Sequence, residues 1–183
     1  CGGRPRKLVA KVGGARVAIG HGDGVSLAGW GCAVGVLAGA SGAQRAAQGL
    51  RAAAADVFAC THTCEPLCMN LGVDVQAGRK RAGPRAGHSG VIINNGAAGM
   101  PNFRDTQYGV ITRVATQAAG ASIPVLYGTE IAGVHVDALA LRYEHRRWWR
   151  TFEALWPVES PAHRSYGARI RDGGDLDLAQ AAM

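Results

Sequence analysis

Two short stretches of the chain carry side chains with metal-binding chemistry. The first is His21, in His21-Gly22-Asp23-Gly24, directly after the apolar and partly β-branched run Ala15-Arg16-Val17-Ala18-Ile19-Gly20. The second is Cys60-Thr61-His62-Thr63-Cys64-Glu65-Pro66, directly after Val57-Phe58-Ala59. Imidazole and thiolate are good ligands for zinc and similar ions. A buried strand ending in such a residue places it at the carboxyl edge of a sheet, where open α/β sheets bind ligands. The plainer reading of His21 is a solvated turn histidine. If the second stretch stays extended, Cys60, His62 and Cys64 project from one face, because side chains alternate with period two. With Cys68 they would make a structural zinc site, although C-x-H-x-C-x-x-x-C is not a standard spacing and a second knuckle is absent. A nucleotide loop fails in detail. The glycines at 20, 22 and 24 read G-x-G-x-G rather than G-x-G-x-x-G, the next carboxylate after Asp23 is Asp56, and no G-x-x-x-x-G-K-[ST] occurs.

These residues need elements to position them. The run 15–20 reads as a buried strand, 40–55 as an Ala, Gln, Arg and Leu helix with Ser41 as its cap, and 57–60 as a second strand. Strand, helix, strand is the pattern of an α/β layer. The glycine-rich and basic stretch 72–90 reads as an exposed loop, and Val91-Ile92-Ile93 as a short buried strand stopped by the turn Asn94-Asn95-Gly96. Strands follow at 108–115 and 134–143, where Val134, Val136, Ala138 and Ala140 alternate against His135, Asp137, Leu139 and Leu141. A helix over 144–156 groups Trp148, Trp149, Phe152 and Trp156 on one face, as core and docking surface rather than a base-stacking platform, and Pro157 ends it. Residues 1–171 are expected to form one domain portion. The acidic, then alanine-rich, residues 172–183 are expected to be a flexible tail.

Composition narrows the function classes. The chain has 183 residues, enough for one domain with a buried core and too few for two full ones. Lys and Arg outnumber Asp and Glu by 20 to 13, a balance that suits anionic partners. The basic residues are scattered, with one dense cluster at Arg79, Lys80, Arg81 and Arg85 among glycine and proline, which reads as a solvated loop. Nucleic acid is therefore a possible but not favoured partner, and a phosphate-ester substrate fits the charge equally well. No apolar run approaches the roughly 18 residues of a membrane span, and no signal peptide is visible. An odd count of five Cys argues against a paired disulfide framework and for a reducing cytoplasm. The first residue is Cys rather than Met, which suggests a fragment, a processed product or a start missed in sequencing.

The two histidine stretches resemble the late motifs of calcineurin-like metallophosphoesterases. That family carries a histidine written H-G after a strand, then a strand ending in G-H-x-H, often followed by x-P. Here Ile19-Gly20-His21-Gly22-Asp23 corresponds to the first, and Thr61-His62-Thr63-Cys64-Glu65-Pro66 to the second. The next strand of the family runs into an asparagine- or proline-glycine turn, here Ile92-Ile93-Asn94-Asn95-Gly96. The resemblance extends to about residue 165. It implies part of a two-sheet αββα sandwich, two divalent ions (zinc, manganese or iron) in the intact enzyme, and hydrolysis of a phosphoester. His21 and His62 would bind one metal and Cys64 the other. By loop position alone, after the Ile92 strand, Asn95 or Arg104 could meet the phosphate oxygens, and the ordinary alternative is that Asn94-Asn95-Gly96 is simply a tight turn. Two positions depart from the pattern: Thr61 replaces a glycine and Cys64 a histidine, which shifts preference toward zinc over manganese. The early motifs D-x-H, G-D-x-x-D and G-N-H-[DE] do not occur, and Asp23, Asp56 and Asp137 stand in none of them. The expectation is an inactive carboxyl-terminal portion whose partner is the missing amino-terminal half of the domain. The alternatives are a small zinc-stabilised nucleic-acid-binding module, using Cys60, His62, Cys64, Cys68 and the Arg79 to Arg85 loop, or a catalytically dead interaction domain of the same fold.

Overall fold

The computed structural model describes residues 7–71 and 90–183. The basic cluster Arg79 to Arg85, and most of the loop expected over 72–90, lie outside the described residues. Within them the chain is mixed α/β, with two sheets and four helices.

The first sheet has five strands: β1 (Lys7–Val12), β2 (Ala15–Gly20), β3 (Val57–Cys60), β4 (Leu67–Leu71) and β5 (Gly90–Asn94), in the order β1-β2-β3-β5-β4. The centre, β2-β3-β5, is parallel, and β1 and β4 are antiparallel flanks. Parallel neighbours need a crossover, and β2 reaches β3 through α1 (Val34–Leu37) and α2 (Ala40–Ala52). The turn from β1 to β2 is Gly13-Gly14, and Gly13 has φ +53°, a conformation in which a side chain would be strained.

The second sheet has three antiparallel strands: β6 (Tyr108–Ala115), β7 (Val125–Ile131) and β8 (Val134–Arg142), with β8 in the middle. The alternation expected along β8 is present. Val134, Val136 and Ala138 are buried in one cluster with Val17, Val57, Val91, Ile93 and Phe103, so the two sheets share a core. On the other side of the intervening Cα, Asp137 accepts an ion-paired hydrogen bond from Arg113 Nη1 at 2.6 Å. The opposite face of the five-stranded sheet packs Ala18, Phe58, Cys60, Leu67 and Ile92 against Leu37 and Leu50 of the helices. Each fully buried Val, Leu or Ile stabilises the fold by about 1.5–3 kcal/mol relative to exposure, so these two clusters are its main support.

Helix α2 starts at Gly39 as N-cap and receives no side-chain cap bond. Ser41, expected to cap, lies inside the helix, because the turn Val36–Gly39 runs straight into it. Helices α3 (His145–Leu155) and α4 (Pro161–Asp172) pack on each other through Phe152, Trp149 and His163, and buried His145 donates Nε2–H to Ile170 O at 2.6 Å. Of the expected aromatic face Phe152 is buried and Trp156 is exposed, since the helix ends one residue before it.

After α4 the chain runs back to the first sheet. Cys68 N–H donates to Ala181 O, Met183 N–H to Cys68 O at 2.9 Å, and Asn70 N–H to Met183 O at 3.2 Å. Ala181 is fully buried in the inter-sheet core, and Leu176 bridges to Phe103. Acidic composition is outweighed here by backbone pairing along the outer side of β4 and by one small apolar side chain that fits the core.

Candidate functional site

His21 is the first residue after β2, and His62 the second after β3. The two strands are parallel neighbours in the register Val17↔Val57, Ala18↔Phe58, Ile19↔Ala59, so both deliver the chain to the same end of the sheet. Thr61 N–H then donates to His21 O at 3.1 Å and locks the two exits together. His21 Nε2 stands 3.2 Å from His62 Nδ1, with the rings edge-to-face at a centroid distance of 5.0 Å. The Trp30 ring lies on the other flank of His62, 5.7 Å between centroids and also edge-to-face. Gly22 is tightly enclosed: a Cβ there would come within 2.3 Å of Ser26 O.

Asp23 organises the loop that carries Trp30. Its Oδ1 accepts from Val25 N–H at 2.8 Å and Ser26 N–H at 2.7 Å, and its Oδ2 from Gly31 N–H at 3.1 Å. Partial burial works to raise its pKa, but the three backbone donors, aided by His62, hold the carboxyl below its ordinary value.

The loop after β3 is clamped from several sides. Asn94, fully buried at the carboxyl end of β5, donates through Nδ2 to Thr63 Oγ1 at 2.8 Å and to Cys32 O at 3.3 Å, and accepts from Gly96 N–H on Oδ1 at 2.9 Å. Thr61 Oγ1 donates to Gly96 O at 2.6 Å, and the Arg169 guanidinium of α4 donates to Cys64 O. Glu65 is committed as well: Oε2 accepts from Val34 N–H at 2.8 Å, at the start of α1. Under these constraints His62 takes φ +74° and Cys64 φ +57°. The segment is therefore not extended, and the expected period-two face of Cys60, His62 and Cys64 does not form. Cys60 instead turns into the helix-side core beside Cys32, whose thiol, together with burial, pushes the Cys60 pKa upward. Cys68 lies in the other core, between the sheets, where burial pushes its thiol up to about 11.

Asn95 Nδ2 donates to Val110 O at 3.0 Å, tying β5 to β6. Arg104 Nη2 donates to Asp175 O at 2.8 Å, and its Nε faces Asp177 Oδ1 at 3.4 Å. Both side chains are engaged with backbone or with the C-terminal segment. Among the described residues, no group of three or more His, Cys, Asp and Glu side chains is arranged to hold a metal ion.

The spacing of the two histidine nitrogens matches that of two donors on one ion. Two nitrogens bound to one ion at about 2.1 Å stand roughly 3.4 Å apart in a tetrahedral site and roughly 3.0 Å apart at a right angle, by simple trigonometry on ordinary bond lengths. The observed 3.2 Å falls between. Without an ion the same pair shares one proton, one imidazole donating and the other accepting. Trp30, Asn94 and Arg169 were not anticipated. Asn94 had a signal, being a polar residue directly continuing the apolar run Val91-Ile92-Ile93, but it also reads as an ordinary turn asparagine. The chain matches no family model, no curated protein and no solved structure. No described helix is long and apolar enough to cross a membrane.

Proposed function

We propose that this chain supplies the histidine pair of a metal-dependent phosphoesterase site of the calcineurin-like type, within part of that family's two-sheet sandwich. The observation that carries the reading is the 3.2 Å approach of His21 Nε2 and His62 Nδ1 at the carboxyl ends of adjacent parallel strands. A divalent ion held there would polarise a phosphoryl oxygen and lower the pKa of a bound water. His21 and His62 would be its neutral nitrogen donors, and the remaining ligands, with the second ion, come from outside the described residues. Thr61 fixes the spacing of the two loops through its backbone bond to His21 O. Trp30 covers one flank of His62 and limits water on that side, and Asp23 holds the Trp30 loop in place.

The zinc-stabilised module finds no support in the placement of its four proposed ligands. Cys60 and Cys68 belong to cores on opposite faces of the same sheet.

The test is titration of the chain with zinc or manganese, followed by calorimetry and by imidazole nitrogen chemical shifts. One ion per chain is expected, with affinity falling at least about tenfold in His21→Ala and in His62→Ala. Equal binding by the double variant would overturn the assignment. Turnover of an aryl phosphate is expected to stay at the level of a chelator control, because two nitrogens cannot hold the paired ions of a two-metal clamp. Chelator-sensitive turnover by this chain alone would show that all the necessary ligands are within it.

A further inference from the structure

A second region of concentrated charge lies where β8 passes into α3. An open, shallow cavity of about 520 Å³ lies there, lined by Arg142, Tyr143, Glu144, His145, Arg146, Arg147 and Arg150, with Gln107 from the approach to β6. Its volume is in the range of small-ligand pockets. Between residues 142 and 150 four arginines face a single carboxylate, Glu144, which pairs with Arg147 at 3.5 Å in an exposed and therefore weak ion pair. Arg142 lies 6.0 Å over the Tyr108 ring, and among the described residues Arg142, Arg146 and Arg150 have no carboxylate partner.

This arrangement opposes the ordinary electrostatics of a helix. The amino end of a helix is positive and favours acidic residues, yet the first turn of α3 has none and carries Arg146 and Arg147 instead. Arg146 and Arg150, four residues apart, are a like-charge pair on one helix face. Glu144 at the cap position makes no side-chain cap bond, and the hydroxyl of Tyr143 is enclosed without a hydrogen-bond partner. A local conflict of this kind marks a functional position rather than a structural one.

We propose that this cavity binds an oligophosphate, a small molecule with two or more linked phosphates. Three unpaired guanidinium groups and the helix dipole match a ligand charge of about minus two to minus three, and the planar forks of arginine suit phosphate oxygens. A basic cluster confined to one helix end favours a compact ligand over an extended polynucleotide, which would follow a stripe.

The experiment uses the full chain with a chelator present, so that its outcome does not depend on the histidine pair. Pyrophosphate, ADP, AMP, adenosine and sulfate are titrated by calorimetry and by the fluorescence of the tryptophans, two of which, Trp148 and Trp149, lie on α3. Pyrophosphate and ADP are expected to bind with similar affinity, with AMP and sulfate at least about tenfold weaker and adenosine silent, since the linked phosphates carry the recognition. Arg146→Ala with Arg150→Ala should lower pyrophosphate affinity at least about tenfold, while Arg164→Ala on α4 leaves it unchanged. These arginines are exposed, so the variants should keep the wild-type circular dichroism and melting temperature. ADP binding without pyrophosphate binding would mean that the base, not the phosphates, is read. Equal affinity for sulfate and pyrophosphate, an undiminished double variant, or preference for a single-stranded oligonucleotide over ADP would each overturn the proposal.

Discussion

Asn94→Ala tests whether one buried side chain holds the site together. Asn94 is fully buried and makes three hydrogen bonds, to Thr63 Oγ1, Cys32 O and Gly96 N–H, which join the loops after β2, β3 and β5. Each bond contributes about 1 kcal/mol net, and the bond to Cys32 O, at 3.3 Å, less. Removal also leaves the Gly96 N–H and the Cys32 carbonyl without those partners, which raises the cost of the change. The expected loss is about 3 kcal/mol, or a fall in Tm of roughly 6–12 °C for a chain of this size. Urea unfolding followed by tryptophan fluorescence measures it, and an unchanged slope with denaturant would show that the denatured state is unaffected. Because Thr63 adjoins His62, metal affinity should fall in the same variant. A loss below about 1 kcal/mol would refute the claim that Asn94 ties these loops together.

Cys64→Ala should change metal affinity by less than about threefold, since its thiol is not grouped with the histidines; a tenfold loss in the same titration would place a thiolate on the ion. Deleting residues 175–183 removes the backbone pairing with β4 and uncovers the site of Ala181, and urea midpoints should report a loss of about 2–4 kcal/mol. Unchanged stability would mean that the segment only rests on the sheet. Arg113→Ala leaves the carboxylate of Asp137, 8% exposed, without its ion pair, which should cost about 3 kcal/mol, largely recovered by a second change of Asp137→Val.

The parallel centre of the first sheet was legible because β2, β3 and β5 are short apolar runs broken sharply by glycine, histidine or asparagine. The strand ends then placed His21 and His62 correctly, since period and neighbour order together determine which edge a residue occupies. What escaped the sequence was backbone conformation after β3. Nothing local announces φ +74° at His62 or φ +57° at Cys64; these arise from Asn94, Gly96 and Arg169, up to 105 residues away in sequence. Strands β1, β4 and β7 were not anticipated for a related reason. All three lie at sheet edges; in β1 and β7 the apolar pattern is weak, as the exposed Leu8, Val9 and Val125 show, whereas Leu67, Cys68 and Leu71 of β4 are buried. The contacts of residues 176–183 rest largely on main-chain groups, which composition does not report.

The docked segment also gives the first sheet a polarity. Its two outer strands are β1 and β4, and an open outer strand can recruit another copy of the same molecule. Main-chain groups of 181–183 already occupy the outer side of β4 at Cys68 and Asn70. Among the described residues, then, β1 is the outer strand of this sheet without such a cover, and a second copy could pair with it β1 to β1. A contact of that kind is two-fold and closes on itself, and pairing through β4 would first require residues 181–183 to be displaced. The backbone of residues 181–183 thus caps one edge of the sheet at Cys68 and Asn70.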